Sequence, residues 1–402
     1  MSEPSHNPPE ERSDAGFSLV ELLTAMALSL LLFALTFTLV QQLNNTADVV
    51  GSTADVNENV RAAINMVSRD LSTAGQNIPV GGIPIPYGGN STAIKRPYPT
   101  GQTFPSPLSG NALYMPVLTA GNGLGNGQGT ISNDVVTMIG VNQTSSFDPT
   151  TVNTTTSPPA FTSASATISV STTAAGYVSP GQFIMLTNIN SSCLLAISSV
   201  NTSTGVITFT HGDSTNDLLG VNQFPTVSAT NGSITSGPTS GTILQLETAT
   251  TNAGKTTYSW PATLTAYPVS MTTYYLDSSS PEKNLIKLTS MGTSGCAAVS
   301  CTNVVALGID VLQVFYSLSP PATLNGVQSD PTENPWPTTT DTGNTPNHIV
   351  KVVLNMVGET NHKNFANSQW YSREIKNSIT IQNLDYVNKY GTASSATQMT
   401  QN

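Results

Sequence analysis

Charge is scarce in this 402-residue chain: Asp, Glu, Lys and Arg make up 9% of it, and 23 acidic residues outnumber 13 basic ones, for a net charge of −10. A surface of that sign repels nucleic acid and other anionic polymers, which removes them as expected partners. Cysteine is scarcer still, with Cys193, Cys296 and Cys301 alone. Cys296 and Cys301 have no neighbouring His or further Cys, so a zinc site is not expected. In an oxidising compartment the two can close a small disulfide loop within their Gly/Ser-rich turn. Cys193 is then left over, and its apolar neighbours Leu194 and Leu195 mark it as a core residue. The four histidines, His6, His211, His348 and His362, are scattered and form no H-E-x-x-H pattern. No G-x-S-x-G elbow and no phosphate loop ending in Gly-Lys-Ser/Thr occurs. Nothing in the residues calls for a cofactor or a metal, and no enzyme class finds its usual residues.

What the chain does have is one long hydrophobic run. It opens at Gly16-Phe17-Ser18-Leu19-Val20-Glu21 and stays apolar to Val40. About 20 such residues suffice to cross a bilayer as a helix. Glu21 lies inside the run, where a carboxylate costs roughly 2.5–3.5 kcal/mol on insertion scales and is kept only for a partner or a function. A cleaved secretory signal is a poor fit, because Glu10, Glu11 and Asp14 leave the leader acidic beside Arg12. The run is also too long, and Asn45-Thr46-Ala47 makes a weak cleavage site. An ordinary anchor leaves Glu21 unexplained.

The stretch Gly16-Phe17-Ser18-Leu19-Val20-Glu21-Leu22-Leu23 resembles the class III signal of the type IV pilin and pseudopilin family. The resemblance implies cleavage by prepilin peptidase between Gly16 and Phe17, N-methylation of Phe17, and an assembly role for Glu21 as the fifth mature residue. It also implies insertion in the inner membrane as a single-pass protein, with the head periplasmic and later carried to a pilus or the cell surface. The implied partners are other major and minor pilins and the pilus assembly machinery. The leader departs from the family in lacking Lys or Arg beside the glycine. After cleavage the Phe17 amine can meet Glu21 of a neighbouring subunit, or fold onto Glu21 of its own chain one helical turn away; the sequence leaves both open.

Beyond the membrane run, Val56, Val60, Ala63, Ile64, Val67 and Leu71 recur at helical spacing, and Gly75 reads as the stop. The Thr46–Thr53 patch around Gly51 has weak helix propensity and is a candidate bend. Short β-type runs then alternate with Gly, Pro, Asn and Ser. The expected strands are 113–118, 134–141, 166–170, 183–187, 194–200, 206–210, 242–247, 269–276, 285–288, 304–318, 349–357 and 378–383, with 304–318 open to starting as a helical turn. The expected fold is therefore α+β and pilin-like: a long N-terminal transmembrane and amphipathic helix followed by a β-rich globular head. Its expected segments are a leader at 1–16, an assembly helix at 17–43, its amphipathic continuation at 44–75, a head at 76–390 and a tail at 391–402.

Several head fragments, among them Ser132-Asn133-Asp134-Val135-Val136, Pro180-Gly181-Gln182-Phe183-Ile184 and Gly308–Tyr316, resemble PilW-type minor pilins. That resemblance implies a filament subunit that helps initiate or cap a pilus. A secretion or DNA-uptake pseudopilin and a pilus-displayed adhesin are the alternatives. Two loops mimic ligand sites. Gly121–Gly127 lacks the strand and helix of a dinucleotide fold and reads as a hairpin loop, and His211–Asp217 lacks the EF-hand pattern and reads as a solvated turn. The aromatics Trp260, Tyr274, Tyr275, Trp336, Trp370 and Tyr371 read as core before adhesive surface.

Overall fold

The structure, a computed structural model, describes residues 18–76, 78–79, 82–99, 101–104, 113–125, 132–141, 165–188, 191–228, 233–246, 248–259, 265–277, 283–290, 302–318, 349–363 and 370–381. Gly16, Phe17, Cys296, Cys301, His6, His348, Trp260 and Trp336 lie outside them.

One helix, α1 (Leu19–Thr73), runs 55 residues, about 80 Å at 1.5 Å per residue. It is unbroken through the Thr46–Thr53 patch where a bend was a candidate. There Thr46 and Ser52 hydroxyls donate to the carbonyls of Gln42 and Asp48, both at 2.8 Å. From Ser18 to Asp55 no side chain is buried. Beyond that, the buried positions of α1 are Val56, Val60, Ala63, Ile64, Val67 and Leu71, the six picked out by their spacing. The helix ends where Gly75 takes φ +76° and donates its N–H to Ile139 O at 2.9 Å. A Cβ at Gly75 would stand 2.6 Å from Val117 Cγ1, so glycine is required there for both reasons.

The head follows in chain order as β1 (Ile83–Pro84), β2 (Tyr114–Met115), β3 (Leu118–Gly121), β4 (Val135–Val141), β5 (Ser165–Ser169), the short α2 (Thr172–Ala175), β6 (Phe183–Thr187), β7 (Ser192–Ala196), β8 (Ser199–Asn201), β9 (Val206–Thr210), β10 (Thr226–Val227) and β11 (Ile234–Ser236). It continues as β12 (Thr248–Asn252), β13 (Lys255–Ser259), β14 (Thr265–Asp277), β15 (Asn284–Ser290), β16 (Thr302–Leu307), β17 (Ile309–Leu318), β18 (Ile349–Lys363) and β19 (Trp370–Thr380). The fold class is thus α+β, a long apolar helix with a β-rich head.

Several expected strands differ in outcome, and the run at 378–383 is only the end of a longer strand, β19. The apolar run at 242–247 is a 3-10 turn at Ile243–Leu246, which buries Ile243, Leu244 and Leu246 without strand pairing. The run at 304–318 is strand from its start, not a helical turn. It is two strands, β16 and β17, because Gly308 at φ +68° turns the chain from one sheet to another. The run at 113–118 breaks at Pro116, which has no N–H to donate to a ladder, and the run at 194–200 divides into β7 and β8.

Two sheets position the helix. A seven-stranded sheet runs β16-β15-β14-β4-β3, with β6 pairing both β14 and β7, and a three-stranded sheet runs β17-β18-β19. Alternation along β14 sends Tyr274 and Leu276 into the core shared with α1, and Val269 and Met271 into a second core on the opposite face. A third core lies between Ile184, Leu186, Cys193 and Leu195 of the large sheet and Ile168, Ile207 and Phe209 of the β5-β9-β8 sheet.

Candidate functional site

The start of α1 is built by two polar side chains. Ser18 is the N-cap, with extended angles (φ −63°, ψ 138°). Its hydroxyl accepts the Val20 N–H at 3.3 Å, and its own N–H donates to Glu21 Oε2 at 3.1 Å. The arrangement is a capping box, in which the N-cap and the third helical residue satisfy each other's backbone donors. Its pattern, Ser-x-x-Glu before an apolar run, stands in the sequence. A role for Ser18 was nonetheless missed, because Glu21 was weighed only against a terminal amine.

Downstream, every long apolar side chain of the first half faces outward: Leu30, Leu32, Phe33 and Phe37 are each more than 60% exposed. The polar residues among them bond to their own helix. The hydroxyls of Thr24, Ser29 and Thr38 donate to the carbonyls of Glu21, Met26 and Ala34 at 2.8–3.0 Å, and that of Thr36 to Leu32. Glu21 remains the sole ionisable side chain from Phe17 to Ala47. By length and composition this helix is able to cross a membrane.

The second half is locked to the head. Strand β18 approaches so closely that a Cβ on Gly358 would lie 2.3 Å from Val60 Cγ2 and 3.1 Å from Val56 Cγ1. Asp70, in the last turn, accepts the Tyr274 hydroxyl at 2.6 Å and the Lys287 ammonium at 2.5 Å on one oxygen. Ser68 accepts an amide proton of Asn377 at 2.8 Å. Tyr274 is fully buried, and burial together with the Asp70 carboxylate raises its pKa far above the ordinary tyrosine range. Of the aromatics weighed as core or adhesive surface, Tyr274 is core, Tyr275 and Tyr371 are half-buried, and Trp370 is exposed. Tyr275 stacks on Tyr98 at 3.6 Å between centroids.

The two sheets are tied at the start of β4. Asp134, buried, accepts the N–H groups of Gly123 at 2.9 Å and Val314 at 2.8 Å, and Asn133 Oδ1 accepts that of Leu312 at 2.9 Å. Gly125 donates to the Asn133 carbonyl at 2.8 Å. The glycine run 121–125 therefore folds back as the connection between β3 and β4 and not as a phosphate loop. Lys283 adds an ion pair with Asp310 and a second with Glu359 at 3.6 Å.

Elsewhere polar side chains serve the fold. Asp213 accepts the N–H groups of Thr215 and Asn216 at 3.1 Å and the Asn216 amide at 2.8 Å. Although burial opposes it, these bonds and one from Ser198 hold its pKa low. Asp217 accepts three backbone N–H groups of Gly220, Val221 and Asn222, yet burial outweighs them and raises its pKa. His211 Nδ1 meets the Asn222 carbonyl at 2.7 Å. The 211–217 loop thus spends its carboxylates on its own backbone. Among the described residues no group of three or more His, Cys, Asp or Glu converges as a metal site. Burial pushes the Cys193 thiol strongly up, which keeps it unreactive. Arg96 is buried over the Phe104 ring and donates to Ala120 O at 2.7 Å, and desolvation lowers its pKa to about 10.

No curated protein and no solved structure matches the chain. A family match is confined to its N-terminus: residues 12–37, which span the Gly16–Phe17 junction, the capping box and most of the apolar run, carry the prokaryotic N-terminal methylation motif, a prepilin-type signal.

Proposed function

We propose that the chain is the precursor of a minor type IV pilin, a structural subunit anchored in the inner membrane by α1. In this reading prepilin peptidase cuts between Gly16 and Phe17, Phe17 is N-methylated, and the mature helix packs with those of other pilins while the head stays outside the cytoplasm. The observation that carries the reading is the join between the methylation motif and an exposed apolar helix whose one ionisable side chain is Glu21. An apolar surface of that length is stable only against lipid or other apolar helices. Exchanging one for the other lets a subunit leave the bilayer without exposing it to water.

Glu21 gives the exchange a direction. Cleavage frees an α-amine at Phe17, next to Ser18, whose N–H already bonds the Glu21 carboxylate. In low dielectric a lone carboxylate and a lone ammonium are each penalised, and a subunit that pairs them is favoured. A secretion or DNA-uptake pseudopilin uses the same helix chemistry, and a deletion phenotype separates the two.

The test is mass spectrometry of the mature N-terminus from membrane and sheared-filament fractions, beside a Glu21→Leu variant. N-methyl-Phe17 in both fractions, with the variant processed but missing from filaments, is the expected result. An uncut Met1, or a Glu21→Leu chain that enters filaments at the normal level, overturns the reading.

A further inference from the structure

Three charged side chains from three separate elements meet at the turn between the two sheets. Lys283 immediately precedes β15, Asp310 is the second residue of β17, and Glu359 lies in β18. The Lys283 ammonium touches the Asp310 carboxylate, and Glu359 Oε2 stands 3.6 Å from the same nitrogen. A partly exposed ion pair contributes about 1 kcal/mol or less, and it needs only one carboxylate. Two carboxylates on one lysine bring a nucleophile, a carbonyl carbon and a proton carrier within reach of one another.

The backbone holds them there. Ile309 donates its N–H to Lys283 O at 3.0 Å, and Glu359 donates its N–H to Gly308 O at 2.9 Å. Ile309 pairs with Gly358 and Val311 with Val357, so Asp310 is the extra residue of a β-bulge. A bulge re-aims a side chain; here Ile309 and Val311 are buried while Asp310 turns to Lys283. The three side chains are each 23–28% exposed, open enough for a small product to leave and too enclosed for full hydration.

We propose that Lys283 and Asp310 condense into an intramolecular amide, with Glu359 as the catalytic residue, so that the start of β15 in the seven-stranded sheet is covalently tied to β17. A proton passes from the ammonium to the Asp310 carboxylate it touches, leaving a neutral amine and a carboxylic acid. The Nζ lone pair attacks Asp310 Cγ while Glu359 takes a second proton from the nitrogen. The tetrahedral centre then reforms its carbonyl and its bond to the hydroxyl breaks. Glu359 returns its proton to that oxygen, which leaves as water. Lys283 and Asp310 lose one water between them, Glu359 ends unchanged, and no oxidant or cofactor is consumed. Groups held in attack geometry react at effective concentrations of roughly 10⁵–10⁸ M, which draws condensation forward against hydrolysis. Lys287 and Asp70 provide the internal contrast. They too are in contact, but among the described residues no second carboxylate pairs with Lys287, and no bond should form there.

The experiment is mass spectrometry of the full-length chain purified from membranes, reduced and alkylated. Wild type should weigh one water less than Lys283→Arg once the substitution is allowed for, and should yield a branched proteolytic peptide joining Lys283 to Asp310. Lys283→Arg keeps the ion pair but offers no simple amine; its thermal unfolding should stay cooperative, so that a missing bond is not a missing fold. Asp310→Ala should likewise retain the water. In pulse-labelled chains Glu359→Gln should form the bond roughly 100-fold more slowly than wild type. A wild-type chain without the branched peptide overturns the inference, as does a Glu359→Gln chain that closes at the wild-type rate. A branched peptide joining Lys287 to Asp70 overturns it too, because contact alone would then suffice.

Discussion

Replacing Asp70 by Ala should loosen α1 from the head. The carboxylate takes the buried Tyr274 hydroxyl at 2.6 Å and the Lys287 ammonium at 2.5 Å. A hydrogen bond to a charged group contributes about 1.5–3 kcal/mol. The Lys287 partner is a quarter exposed, as is Asp70, so its share is held to about 1 kcal/mol or less by solvent screening. The expected loss is therefore roughly 2–4 kcal/mol, most of it from the phenol, which would sit in the core without an acceptor. Thermal unfolding of the detergent-solubilised full chain reads this as a fall of roughly 2–5 °C. Tyr274→Phe separates the contributions, because it removes the donor and leaves the ion pair; it should cost less than Asp70→Ala. Lys287→Met should cost least. Hydrogen exchange should quicken in residues 56–73 of the Asp70 variant and stay unchanged in 19–50, where no side chain is buried. An Asp70→Ala chain within about 0.5 kcal/mol of wild type, the range of ordinary surface changes, refutes the anchor.

Gly358→Ala would force a methyl to within 2.3 Å of Val60 Cγ2 and should cost about 1–3 kcal/mol in denaturant unfolding; adding Val60→Ala should return part of it. Asp134→Ala leaves the N–H groups of Gly123 and Val314 without their acceptor and should cost about 1–3 kcal/mol, most of it from the buried Val314 N–H, with Asp134→Asn milder. At alkaline pH, Tyr274 and Tyr316 are raised by burial above the ordinary range and Tyr275 to about 12. Folded-state values above the unfolded value of about 10 mean that this stability is complete below pH 10 and is lost as pH rises from there. A titration at 295 nm should therefore show these three ionising late and together with unfolding. Cys193, fully buried with a raised pKa, should resist iodoacetamide in the native chain and react once unfolded, read by peptide mapping.

How far the sequence was legible follows from the range of each signal. The six apolar positions from Val56 to Leu71 are local and periodic, and they are the buried ones. Strands such as Phe183–Thr187 and Val206–Thr210 were bounded by turn residues and stand at the expected residues. Ile243-Leu244-Gln245-Leu246 misled because a four-residue apolar run has no period long enough to separate a strand from a turn. The β12–β13 hairpin was missed for the opposite reason: Thr248–Ser259 is mostly Thr and polar, so no hydrophobic alternation announces it. The anchor of the helix was illegible in a deeper sense. Asp70 and Tyr274 lie 204 residues apart, and Asn133 and Leu312 lie 179 apart. Such pairs are set by topology, and a single sequence carries no mark of them. The capping box, four residues from Ser18 to Glu21, was there to be read.

The same contacts decide how load on the helix would reach the head. Among the described residues no side chain of α1 before Val56 is buried, so in the proposed filament a pull on that half is carried along the helix to Val56 and beyond. There the first elements to take it are β18 and β19, against Gly358 and Asn377. From this small sheet the load passes to the seven-stranded sheet at a few identified points. They are the turn at Gly308, the Lys283 pairs with Asp310 and Glu359, the Asn133–Asp134 bonds to β17, and Asp70 directly to β14 and β15. As ion pairs, the Lys283 and Lys287 contacts are partly exposed and weaken with salt; the Asn133–Asp134 bonds are buried and do not. In high salt the noncovalent ties that persist should accordingly be the β4 tie, the Tyr274–Asp70 hydrogen bond and the core the two sheets share. In a Glu359→Gln chain, where Lys283 stays an ion pair, Asp134 variants, and not Lys283 variants, should then be the ones that lose the head's integrity under load.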